Sequence, residues 1–152
     1  MKKIEPVRIS SENFHFGSVV IAPAGKPTAE GSTFKFWSNI ADYRINGSTE
    51  MGLCTVYRND ILPLDTVERH LHTPECLIPI DASIILPIVG SDSEIHAFRI
   101  EVGESVVIDP GVWHGPCLPV GKNEATYFVL FRKGTPHEDV EKKQIEAISI
   151  QS

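Results

Sequence analysis

Apolar residues in this chain fall into short runs separated by glycine, proline and small polar residues. Residues 51–58 alternate well enough for a half-buried strand, while 77–80 and 83–89 are continuous apolar runs of strand length. Residues 95–102, 105–108 and 126–132 read as further strands, with turns at Gly90-Ser91-Asp92-Ser93, Gly103-Glu104 and Asp109-Pro110-Gly111 between them. Upstream, a polar turn at Ser10–Asn13 precedes a Val19-Val20-Ile21 strand, 23–33 is a loop, and Phe34–Trp37 begins another strand. Asn46-Gly47 is a hairpin-type turn signal, and residues 61–64 form a connector. Val67–His72 is predicted as a strand, which would put Glu68, His70 and His72 on one face, because strand side chains alternate. Only the tail, 137–145, has a helical composition, and no internal repeat is visible.

Composition sharpens that picture. The chain has 17 Ile and 13 Val against 8 Leu and 8 Ala, and β-branched residues suit pleated, half-buried surfaces. With 11 Pro and 11 Gly as punctuation, the pattern is that of an all-β sandwich or barrel. The length of 152 residues predicts one domain, spanning 1–152, with enough chain to bury a core unaided. A net charge of −6 provides no field for gathering nucleic acid or anionic lipid, so neither is expected as a partner. No apolar run is long enough to span a bilayer, and Met1–Pro6 has no apolar stretch behind it, so no secretory signal is expected. Three cysteines, Cys54, Cys76 and Cys117, without C-x-x-C spacing, fit a reducing cytoplasm rather than a disulfide framework.

Two segments carry candidate chemistry. The first is Glu68-Arg69-His70-Leu71-His72-Thr73-Pro74-Glu75, where two same-face imidazoles can grip one metal ion with a nearby carboxylate. The second is Gly103 to His114, where a Pro-Gly turn aims His114 in a defined direction. Each has a plainer reading, two histidines on an ordinary strand and a hairpin that ends in Trp-His. Cys76 and Cys117 read as small buried hydrophobes, and Trp113 as core or pocket wall.

Taken together, the two segments resemble the cupin superfamily, whose motifs are G-x5-H-x-H-x(3,4)-E-x6-G and G-x5-P-x-G-x2-H-x3-N. Gly103, Gly111 and His114 fit the second, with Asp109 at the proline and Leu118 at the asparagine. His70 and His72 fit the first, but Leu64 replaces its glycine and Glu75 follows His72 after only two residues, which leaves Glu68 as a rival carboxylate. A closer resemblance is to the ureidoglycolate lyase family. The opening Ile9–Ile21, the Glu68-Arg69-His70 with Ile78-Pro79, the Val112-Trp113-His114 with Pro116, Arg58 with Leu62-Pro63-Leu64, and Asp139-Val140-Glu141 all have counterparts there. Members commonly have an amide at Glu75, no histidine at His72 and an acid at Tyr127, so this chain carries the fuller cupin metal set.

The resemblance implies a cupin-type double-stranded β-helix, a jelly-roll barrel, with a short C-terminal helical tail. It implies a small-molecule enzyme that releases urea from ureidoglycolate to give glyoxylate. His70, His72, Glu75 and His114 are then the expected ligands of a divalent ion (Ni, Zn, Mn or Fe), Glu68 and Glu75 the expected catalytic carboxylates, and Arg58 and Trp113 the expected substrate contacts. A homodimer is expected, because an edge strand or the apolar tail with Ile145, Ile148 and Ile150 invites pairing. Two other readings stay open: another metal-dependent cupin enzyme, such as a dioxygenase or isomerase, and a non-catalytic small-molecule-binding cupin.

Overall fold

The β-branched runs form strands, and the glycine and proline punctuation bends the chain between them. In a computed structural model, which describes every residue except Ala24 and Ile61, the first eight strands are β1 (Lys2–Ile4), β2 (Val7–Arg8), β3 (Gly17–Val20), β4 (Ala29–Glu30), β5 (Lys35–Phe36), β6 (Thr49–Tyr57), β7 (Leu64–Arg69) and β8 (Glu75–Pro79). They are followed by β9 (Ile84–Val89), β10 (Ile95–Ile100), β11 (Ser105–Ile108), β12 (Leu118–Pro119), β13 (Glu124–Arg132), the helical turn α1 (Thr135–Glu138) and β14 (Glu141–Ile150). The parts of the 23–33 loop and the 61–64 connector that fall on Ala24 and Ile61 lie outside the described residues.

Two sheets face each other. One runs β3-β11-β8-β13-β6 and is antiparallel throughout. The other combines β1-β14-β7 with β12-β9-β10-β2. The backbone of His114 ties these two parts together, because it bridges Glu68 of β7 on one side and Ile88 of β9 on the other. The result is the jelly-roll barrel expected from the sequence. Its core lies between the sheets and includes Ile9, Phe14, Leu77, Ile84, Leu86, Ile88, Phe98, Ile100, Val106 and Ile108. No helix among the described residues is long and apolar enough to cross a membrane.

Three expectations about local structure need correction. Strand β7 ends at Arg69, so His70 and His72 do not share a strand face. The helical tail is a single turn, and the segment from Glu141 is a ten-residue strand that pairs antiparallel with β7. The polar composition of 137–145 suits a helix, but Ile148 and Ile150 alternate with Ser149, and burying Ile148 against β7 selects the strand. Asn46-Gly47 bends the chain into β6 and closes no hairpin; the hairpin lies earlier, between β4 and β5.

Candidate metal centre

Three elements bring three side chains to one point between the sheets. His70 follows the last residue of β7, and its backbone oxygen accepts the Gly111 N–H at 2.6 Å. Gly111 has a φ of 82°, a conformation open to glycine, so the Asp109-Pro110-Gly111 turn can dock there and feed the chain back between β7 and β9. That docking points the His114 side chain into the barrel, where it is 5% exposed. Glu75 begins β8 on the opposite sheet, opposite Ile108 of β11.

The geometry is convergent. Glu75 Oε2 lies 3.1 Å from His70 Nε2 and 3.1 Å from His114 Nε2. His114 Nε2 is also 3.9 Å from Glu68 Oε1. Glu68, His70 and His114 together form a set able to hold a metal ion. Phe131 packs edge-on against His70 with ring centroids 5.9 Å apart.

The far side of each ring is fixed by a backbone oxygen. His70 Nδ1 is 2.7 Å from the Asp139 oxygen, and His114 Nδ1 is 3.1 Å from the Val112 oxygen. A neutral imidazole that donates from Nδ1 has a bare lone pair on Nε2. Both Nε2 lone pairs therefore face the same carboxylate oxygen. The three atoms are close, and among the described residues they are three of the five buried side-chain polar atoms for which no hydrogen-bond partner is found.

Such a cluster needs positive charge at its centre. Protons can provide it. Burial opposes a charged His70, yet the Glu75 carboxylate outweighs burial and raises His70 to about 9. His114 is raised by the same contest between burial and Glu75. Burial pushes Glu75 upward, but the two imidazoles prevail and hold it at about 2. A divalent cation provides the same charge without protons, and two imidazole nitrogens with a carboxylate oxygen are a fitting donor set for one.

The remaining expected site residues are placed as follows. Glu68 is partly exposed and lines a cleft of about 1180 Å³ that also includes Arg58, Cys117 and Lys142, so it stands between the cleft and His114. Arg58 is on the cleft wall, with its Nε 2.9 and 3.0 Å from the two Asp60 carboxylate oxygens. His72 is exposed and lies beside Arg132, Glu138 and Asp139, away from the His70–Glu75–His114 cluster. Trp113 points to the opposite face of the sheet from His114, with the Arg69 guanidinium 4.5 Å and the Lys143 ammonium 4.4 Å from its ring. Neither Cys76 nor Cys117 is activated: burial raises Cys76 to about 11 and pushes Cys117 up as well.

Sequence reasoning did not single out two residues that shape this centre, Asp139 behind His70 and Phe131 against its ring. Asp139 was visible only as part of a closing acidic segment. Phe131 is the inward residue of β13 opposite Glu50, and that position follows from strand register alone.

The ureidoglycolate lyase family profile matches residues 1–151 of this chain. A ureidoglycolate lyase of Chelativorans sp. (strain BNC1) is 28% identical over 146 residues, covering 88% of this chain and 87% of that protein. A germin-like protein of Morus alba is 23% identical over 133 residues, covering 86% of this chain, which in turn spans only 61% of that protein's length. Among solved structures, an oxalate oxidase in complex with the substrate analogue glycolate aligns with a TM-score of 0.46 and 22% identity, over 61% of this chain and 45% of that one. With a family match that runs over nearly its whole length, the chain belongs to the ureidoglycolate lyase family.

Proposed function

We propose that this lyase eliminates urea from ureidoglycolate and leaves glyoxylate, with a divalent metal ion at the centre. The observation that carries the reading is the convergence of His70 Nε2, His114 Nε2 and Glu75 Oε2 in a member of this family. Ureidoglycolate has a carboxylate and a hydroxyl on the carbon that bears the urea nitrogen. Elimination removes the hydroxyl proton, turns that C–O bond into the carbonyl of glyoxylate, breaks the C–N bond and returns a proton to the leaving nitrogen.

Glu75, buried between both imidazoles, is assigned with His70 and His114 as a metal ligand. A cation held there would supply the Lewis acidity that lowers the hydroxyl pKa. Glu68, partly exposed and facing the cleft, is assigned the proton transfers: it takes the hydroxyl proton and delivers it to the urea nitrogen. Arg58 is assigned to the substrate carboxylate through its Nη edge, while Asp60 engages its Nε edge. His72 and Trp113 are left out of this scheme.

A homodimer is part of the same reading. Strand β6 is the nine-residue edge of its sheet, and its outward side chains Met51, Leu53 and Tyr57 are 66%, 66% and 69% exposed. A long, apolar edge strand is self-complementary with an antiparallel copy of itself.

The test combines elemental analysis with an assay of glyoxylate release. Near-stoichiometric Ni, Zn, Mn or Fe is expected in the wild type and in H72A and E68Q, but not in H70A or H114A. Glu68→Gln is expected to lower kcat by about 10²-fold or more. No glyoxylate from the metal-supplied wild type would overturn the reaction, and metal retained by both H70A and H114A would overturn the centre.

A further inference from the structure

The inner row of β6 contains a gap. Burial alternates along this strand, and Glu50, Gly52, Cys54 and Val56 form the less exposed row. Cys54 and Val56 of that row pack on the core, so the row faces the barrel interior. Gly52 is directly opposite Val129, which is itself part of the core. It therefore stands at an inward position in the middle of a long strand and has no side chain to place there.

Glycine destabilises a strand interior relative to alanine, so its presence at such a position calls for a reason. Conformation is not the reason, because Gly52 is not among the glycines with positive φ. Crowding is not the reason either. A Cβ added at Gly52 would meet no atom within 4 Å. The contrast with Gly17 is direct: a Cβ there would fall 1.8 Å from the Val107 oxygen. Gly52 thus borders open space that a side chain could occupy without strain.

That space is on the same side of the sheet as the metal centre. Val129 pairs with Leu77, two residues along β8 from Glu75. The next inward residue of β13 is Phe131, whose ring contacts His70. The next inward residue in the other direction is Tyr127, opposite Cys54. The gap at Gly52 therefore lies on the wall that runs from Phe131 to Tyr127, one inward position along from the level of Phe131, whose ring contacts His70.

We propose that Gly52 determines substrate size: the space left by its missing side chain receives the small, flat ureido end of a hydroxy acid whose hydroxyl is at the metal centre. The inference rests on the lyase reading above and adds a residue outside the ligand set. Open space beside an inward strand position accepts a planar amide-type group, and a side chain of growing volume at residue 52 would fill that space first.

The experiment is a size series, Gly52→Ala, Gly52→Val and Gly52→Leu, read by steady-state kinetics on ureidoglycolate, thermal melting and metal content. Melting temperature and metal content are expected to hold in all three, because the added atoms enter open space. KM is expected to climb with side-chain volume, with kcat/KM down severalfold in G52A and at least tenfold in G52V. Unchanged kcat/KM in folded, metal-loaded G52V and G52L overturns the proposal, and so does a melting temperature that falls in step with volume, G52A included. If the wild type does not turn over ureidoglycolate, the lyase reading fails separately. The slot is then judged by calorimetric titration of oxalate and of N-carbamoylglycine, which carries the ureido end, into wild type and G52V. Selective loss of N-carbamoylglycine binding in G52V supports the slot; equal affinities, or no binding of N-carbamoylglycine to the wild type, overturn it.

Discussion

Asp139 positions His70 through its backbone: the Asp139 carbonyl oxygen lies 2.7 Å from His70 Nδ1. The same residue's carboxylate accepts the N–H groups of Leu71 and His72, each at 2.9 Å. Those two bonds outweigh its burial and hold its carboxyl below the ordinary range. One residue thus orients the imidazole and stops β7 one position before it. Asp139→Ala keeps the carbonyl and removes the two charge-assisted bonds. After allowance for its partial exposure, the expected loss is about 1 kcal/mol of stability, measured by chemical denaturation. Metal affinity is expected to drop about tenfold, because the two bonds that hold the Asp139 carbonyl in place behind His70 are lost. An unchanged metal titration curve would show that the Asp139 carboxylate is not needed to keep its carbonyl on His70.

Much of this architecture can be read in the sequence, and the exceptions share a cause. The strands at 84–89, 95–100 and 105–108 follow from β-branched runs bounded by turn residues, which is local information. His114 was legible because the Pro110-Gly111 turn sets its direction. His72 was misread as a partner of His70, because the alternation rule assumes that the strand continues. The interruption comes from the Asp139 carboxylate, 67 positions away from His72 in the chain. The tail was misread for a similar reason. Its charges suit a helix, and the contacts that make it a strand belong to β7. The convergence of Glu75 with the two imidazoles was legible only through the family resemblance, because it depends on how two sheets face each other, which the spacing of residues within one segment does not encode.

The protonation of the centre makes stability depend on pH, and the two directions differ. His70 is raised from 6.5 to about 9, so its pairing with Glu75 stabilises the metal-free protein fully below about pH 6.5 and is lost as the pH rises through about 9. Glu75 is lowered from 4.5 to about 2, so its contribution is present above about pH 4.5 and is lost as the pH falls through about 2. The melting temperature of metal-free protein is therefore expected to decline between about pH 6.5 and 9. Metal affinity is expected to move in the opposite direction, because a cation must displace the imidazole protons, and to level off above about pH 9. Calorimetric metal titrations across this range check both trends, and a flat affinity would show that no proton is displaced.

The exposed side of β6 gives the last prediction. Leu53, at the centre of this strand, is 66% exposed, with Met51 and Tyr57 on the same face. Its cross-strand neighbour is Phe128, which pairs in turn with Ile78 of β8, so the apolar surface continues inward from the edge. A stable dimer buries about 800 Å² per partner, and a patch that begins at an unpaired edge can reach that area by pairing with its own copy. Leu53→Lys places a charge at the centre of that contact and next to its own symmetry mate, where like charges repel. Sedimentation velocity is expected to show a dimer for the wild type and a monomer for L53K at the same concentration. Because the outward face of β6 is opposite the Gly52 slot, metal content and kcat/KM per chain are expected to stay within about twofold in the monomeric variant. A wild type that sediments as a monomer at micromolar concentration would remove β6 as an interface.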